Sequence, residues 1–154
     1  MYDDHEYWMQ IALEQASIAG QKDEVPVGAI IVYQNQIIGT GHNQPISACD
    51  PTAHAEIVAI RQAANYLGNY RLNNADLYVT LEPCLMCLGA IIHARINQLI
   101  FGAHDPKTGV IDSQAQLHQT EFLNHRIKTQ GNICASQSQT LLKNFFKAKR
   151  QKKR

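Results

Sequence analysis

The chain has 154 residues, of which 45% are hydrophobic, 18% charged and 7% aromatic. A chain of this length buries roughly 70% of its unfolded surface, enough for one core without disulfide staples. These proportions exclude a collagen, a coiled coil, a disordered chain and a small disulfide scaffold. The net charge of +1 hides an asymmetry. The stretch from Lys143 to Arg154 holds seven of the 14 basic residues and none of the 13 acidic ones. An acidic body with a basic tail suits docking of a polyanion, and a solvated, frayed terminus is the alternative.

Met1 to Glu6 is acidic and has neither a basic n-region nor an apolar h-region, so no signal peptide is expected. No apolar run approaches the roughly 20 residues that a membrane span needs. The expected location is the cytoplasm, where the four cysteines stay reduced. Reduced cysteines at motif spacing point to metal before disulfides.

In chain order, Trp8, Ile11, Ala12, Ala16 and Ala19 recur at helical spacing, which predicts a helix over about Asp4–Gly20. Val27–Tyr33 and Gln36–Gly41 are β-rich runs joined by Gln34-Asn35, the pattern of a hairpin. Gly41–Ala53 reads as loop. A second helix is expected over about Thr52–Leu67, from the period of Ile57, Ile60, Ala64 and Leu67. Ala75–Leu81 is a strand, and Pro83 then opens a helix through about His93, since proline suits a first helical turn. Gln98–Ala103 is a further strand, and Asp105–Gln119 is irregular. A short helix is expected at Phe122–Arg126, a weak strand at Arg126–Gln130 and a last helix from about Ala135, with Leu141, Leu142, Phe145 and Phe146 as its apolar stripe. The sum is a single α/β domain over residues 1–154. It has a central mixed sheet of five strands covered on both faces and a basic C-terminal tail over about 143–154.

Two stretches carry the chemistry, Ala53-His54-Ala55-Glu56 and Glu82-Pro83-Cys84-Leu85-Met86-Cys87. A spacing of three places Cys84 and Cys87 on one helix face. Pro83 puts Cys84 in the first turn, where free N–H groups and the helix dipole favour a thiolate. Two thiolates and the imidazole of His54 suit zinc, and three ligands leave the fourth position open, as in catalytic sites. Zinc lowers the pKa of a bound water from about 15.7 to about 7. Glu56, two positions from His54, falls on another face and is placed as the general acid and base. A lone C-x-x-C also suits a redox pair, and a lone H-x-E is usually a helix surface. Together, H-x-E with P-C-x-x-C is the zinc nucleobase deaminase signature. Cys49 and Cys134 lack motif spacing and read as ordinary small residues.

The chain resembles the bacterial tRNA-specific adenosine deaminases. The matching stretches are 50–57, 69–72 and 77–87, together with Glu24-Val25-Pro26-Val27-Gly28-Ala29, residues 102–109, and Phe145-Phe146 followed by basic residues. The match runs over about residues 5–150, with Gln44 and Leu88 departing from the commonest pattern. The resemblance implies a cytidine-deaminase-like α/β/α fold, a homodimer with one zinc per subunit, and conversion of adenosine to inosine at the first anticodon position, chiefly in an arginine tRNA. It implies His54, Cys84 and Cys87 as zinc ligands and Glu56 as proton shuttle. It implies Asn43 as a contact to the flipped base and Asp105 as a contact beside it. Asn43 also reads as a turn residue and Asp105 as a turn cap. The rival readings are a deaminase of free guanine or cytosine and a non-catalytic zinc module that binds nucleic acid.

Overall fold

The computed structural model describes residues 4–153. Helix α1 spans His5–Gln21, and the Asp4 carboxylate caps it by accepting from Tyr7 N–H at 3.0 Å. Strands β1 (Gly28–Tyr33) and β2 (Gln36–His42) pair antiparallel. Both turn residues between them, Gln34 and Asn35, have positive φ, +50° and +62°. That is the backbone a tight two-residue hairpin requires.

Helix α2 spans Ala55–Leu67, β3 Asp76–Leu81, α3 Leu85–His93 and β4 Gln98–Ala103. Strand β5 is short, Lys128–Gln130, and α4 spans Ala135–Lys152. The sheet order is β2-β1-β3-β4-β5. Strand β1 runs antiparallel to β2 and β3, and β3, β4 and β5 run parallel, so the sheet is mixed.

The two faces follow from the two-residue period of the strands. Ile30, Val32, Tyr78 and Ile100 pack beneath Met9, Ala12 and Leu13 of α1. Their neighbours Ala29, Ile31, Leu77, Val79, Leu99 and Phe101 point the other way, toward α2 and α3. Helix α4 lies on the α1 face, where the buried Ser138 hydroxyl donates to Thr80 O at 2.6 Å. This is the three-layer α/β/α architecture expected from the sequence. Gly41 sets how closely α2 sits on the hairpin. A Cβ there would stand 2.3 Å from Ala55 O, so any side chain would push the first turn of α2 away.

Three boundaries differ from the periodic reading. Helix α2 starts at Ala55 and not Thr52, because Thr52 N–H and Oγ1 both donate to the Asp50 carboxylate and close a turn there. Helix α3 starts at Leu85 and not Pro83. No helix forms over Phe122–Arg126. The Phe122 side chain is 82% exposed and gives a helix no face to bury, while the Arg126 guanidinium reaches back to the carbonyls of His118 and Thr120. The one turn of 3₁₀ helix in this region is Leu117–Gln119. The weak strand is shorter than expected, and Phe146 is 45% exposed instead of completing an apolar stripe on α4. No helix among the described residues is long and apolar enough to cross a membrane.

Candidate metal and catalytic site

Two helix N-termini converge at one place. His54 is the N-cap of α2 and Cys84 the N-cap of α3, both with extended backbone, and Cys87 lies one turn into α3. Cys84 therefore stands just before the first turn, not inside it, and the three-residue spacing still brings both sulfurs to the same end. His54 Nδ1 lies 3.7 Å from Cys84 Sγ and 3.5 Å from Cys87 Sγ. The three donor atoms lie within 4.8 Å of one another. A tetrahedral zinc with ordinary Zn–S and Zn–N bonds separates its sulfur and nitrogen ligands by about 3.5 Å. The group fits that ion.

Without an ion, the three donors share protons among themselves. The hydrogen bond from Cys87 lowers the Cys84 thiol to about 4 against the opposing effect of burial, with His54 helping. The same bond, with burial and the nearby Glu56 charge, pushes the Cys87 thiol up. One proton is thus held between two sulfurs, in the field of two helix N-termini that favour negative charge. The hydrogen bond to Cys84 raises His54 above an ordinary histidine.

Glu56, in the first turn of α2, is 4% exposed and lies outside the three-ligand group. Burial pushes its carboxyl up to about 7, and negative charge at Cys84 adds to this. Its own backbone amide, His54 and the Cys87 thiol oppose. A carboxyl poised near neutrality can take and return a proton.

Asn43 follows β2. Its Oδ1 accepts from Ala55 N–H at 2.8 Å, which caps α2 next to His54. Asn43 lines a cavity of about 430 Å³ with Glu24, Pro45, Ile46, Phe145 and Phe146. Asp105, just after β4, caps a turn: its carboxylate accepts from Lys107 N–H, Thr108 N–H and the Thr108 hydroxyl. The turn reading is met at Asp105, whereas the Asn43 side chain closes no local turn and bonds the start of α2 twelve residues on. On α4, Lys149 is drawn aside to Asp23 at 2.6 Å, and a cavity of about 420 Å³ lies among Lys107, Phe146, Lys149, Arg150 and Lys153. Arg154 lies outside the described residues.

Two carboxylates went unassigned in the sequence. Glu24 is buried and accepts from Ile46 N–H at 3.2 Å and Ser47 N–H at 2.7 Å, pinning the loop after Asn43. Glu82 is also buried and binds the loop after β4. The available signal was an acidic residue beside an apolar run and a proline, which is too common to single out.

The MafB19-like deaminase family matches residues 3–150. The chain is 47% identical over 152 residues to the tRNA-specific adenosine deaminase of Buchnera aphidicola subsp. Schizaphis graminum, covering 94% of this chain and 95% of that one. It is 46% identical over 150 residues to the tRNA-specific adenosine deaminase of Haemophilus influenzae, covering 97% and 87%. A solved structure from work on A-to-I editing by tRNA:A34 deaminases superposes with a TM-score of 0.86 at 43% identity, over 88% of this chain and 99% of that chain. A guanine deaminase from Bacillus subtilis superposes with a TM-score of 0.64 at 41% identity, over 66% and 65%.

Proposed function

The chain belongs to the tRNA-specific adenosine deaminases, and from that premise we propose that it converts adenosine to inosine at the first anticodon position of a tRNA. Water replaces the exocyclic amine, and the products are inosine and ammonia. The observation that carries this reading is the placement of Glu56, a buried carboxyl held near neutrality beside a three-ligand group that leaves a tetrahedral metal one open position. His54, Cys84 and Cys87 would hold one zinc per subunit. That ion, when bound, supplies Lewis acidity and a hydroxide-like nucleophile at neutral pH.

The residues of the chain do the rest. The target adenine leaves its stack to reach the site, which costs least in an unpaired anticodon loop. Asn43, its oxygen committed to Ala55, offers Nδ2 as a donor to a ring acceptor of the flipped base. Glu56 takes one proton from the attacking water and gives it to the ring nitrogen, then takes the second from the same oxygen and gives it to the leaving amine, so inosine keeps N1–H and a C6 carbonyl and ammonia departs. Asp105 stands beside the neighbouring nucleotide. Lys147, Arg150, Lys152 and Lys153 meet phosphates, which orient RNA without reading its sequence.

An arginine tRNA is the favoured substrate, and residues 1–154 act as one cytoplasmic deaminase domain in a homodimer. The test is incubation with an adenosine-bearing arginine anticodon stem-loop, scoring inosine by its reading as guanosine on reverse transcription. Conversion confined to the first anticodon position supports the reading. The guanine deaminase similarity supplies the rival, which predicts turnover of free guanine with the stem-loop untouched.

A further inference from the structure

Glu82 joins the end of β3 to Pro83 and the Cys84 cap, and it is 2% exposed. Its Oε2 accepts from the N–H groups of Ile111 (3.0 Å), Asp112 (2.8 Å) and Ser113 (3.0 Å). Its Oε1 accepts from Asp105 N–H at 3.0 Å and from the Ser113 hydroxyl. Two backbone bonds close the same junction, Glu82 N–H to Ala103 O at 2.8 Å and Val110 N–H to Pro83 O at 3.1 Å. At Gly109 a Cβ would stand 2.3 Å from the Glu82 carboxyl carbon, so the loop wraps the carboxylate with no space for a side chain.

Two charged residues, Asp105 and Lys107, lie near the start of the loop so held. Its first residue is Asp105, whose amide Glu82 binds while the Asp105 carboxylate shapes the following turn. That turn brings Lys107 to the cavity it shares with Phe146, Lys149 and Arg150 of α4. We propose that Glu82 is a positioning residue for substrate binding, a carboxylate clamp that sets the 105–113 loop, and with it Asp105 and Lys107, against the metal-ligand end of α3 and the basic face of α4. The proposal rests on the tRNA deaminase reading. Five converging donors require acceptors on both oxygens, which only a carboxylate of this length supplies. In Glu82→Gln, an amide oxygen kept against the three loop amides turns the NH₂ group onto Asp105 N–H, which loses its partner. The Ser113 hydroxyl can rotate to accept.

The experiment begins with the wild-type holoenzyme and the arginine anticodon stem-loop. Absence of deamination there overturns the functional reading and with it the substrate-binding role of Glu82, and the loop clamp is then decided by amide exchange at Asp105 in E82Q. In E82Q the expected results are unchanged zinc content, a KM raised about tenfold and a kcat within about threefold of wild type. Amide exchange should quicken at Asp105 but not in β3. A fall in kcat at unchanged KM, loss of zinc, or unchanged exchange at Asp105 overturns the proposal. Should E82Q fail to fold, S113A removes one donor to the same carboxylate and orphans no amide. It should raise KM about two- to threefold with faster exchange at Asp105, and an S113A protein identical to wild type in both overturns the clamp.

Discussion

Asn43 Oδ1 accepts a 2.8 Å hydrogen bond from the backbone N–H of Ala55, so one side chain both caps α2 beside His54 and lines the cavity it shares with Glu24, Ile46 and Phe145. Its two amide atoms have separable roles, and two variants separate them. Asn43→Asp keeps an acceptor for Ala55 and removes the Nδ2 donor. It should fold normally and lose about tenfold or more in kcat/KM, the order of one hydrogen bond to substrate. Asn43→Ala also removes the cap and should cost about 1 kcal/mol of stability besides. Thermal unfolding and steady-state kinetics on the stem-loop measure the two effects. Normal kcat/KM in the Asp variant would show that the side chain is a cap and nothing more.

Glu56→Gln should retain zinc and lose about 10²-fold or more in turnover, since the amide cannot carry the proton. Metal analysis beside single-turnover rates checks this, and near-normal turnover sinks the shuttle assignment.

The zinc-free protein offers a pH signature of the same residue. Burial raises the Glu56 carboxyl from 4.5 to about 7 in the folded state. A group raised by folding stabilises most below its unfolded value, and that contribution disappears as pH rises through about 7. Cys84, lowered to about 4, works in the opposite sense: its contribution is present above the usual thiol value of 9.0 and fades as pH falls. Comparing zinc-free wild type with zinc-free E56Q isolates the first effect. The stability difference, wild type minus variant, should decline between pH 4.5 and 7, and a difference independent of pH would contradict the burial argument.

Removing a ligand should remove the ion. Cys87→Ala is expected to abolish both zinc binding and activity, and chelation of the wild type should abolish activity that added zinc restores. Zinc at a hundredfold its dissociation constant adds about 2.7 kcal/mol to folding stability. The chelated protein should therefore melt earlier, and full activity after verified zinc removal would exclude the metal mechanism.

Truncation after Phe146 removes Lys147, Lys149, Arg150, Lys152, Lys153 and Arg154. Each lost phosphate contact lowers the slope of log K against log salt by about 0.7 for single-stranded RNA. Lys149 already pairs with Asp23, so it should contribute less than its neighbours. An unchanged slope would deny the tail its role.

Strand β4 was legible to the residue, as Gln98–Ala103, and β1, β3 and α1 to within one or two positions. Hydrophobic period is a local property, and each of these segments has a face to bury. The convergence of one imidazole and two thiols was legible for a related reason. His54, Cys84 and Cys87 carry chemistry that few residue types share, and their short spacings leave little freedom. Only the tertiary structure decided the helix starts, where Asp50 and Asn43 compete for the backbone of residues 52–55. Only it decided that Phe122–Arg126 stays irregular, because nothing packs over Phe122. Glu24 and Glu82 belong to the same class. A glutamate becomes a clamp only when amides 22 to 31 residues away fold onto it. Those donors are backbone groups, identical in every residue but proline, so their convergence leaves no mark in the sequence.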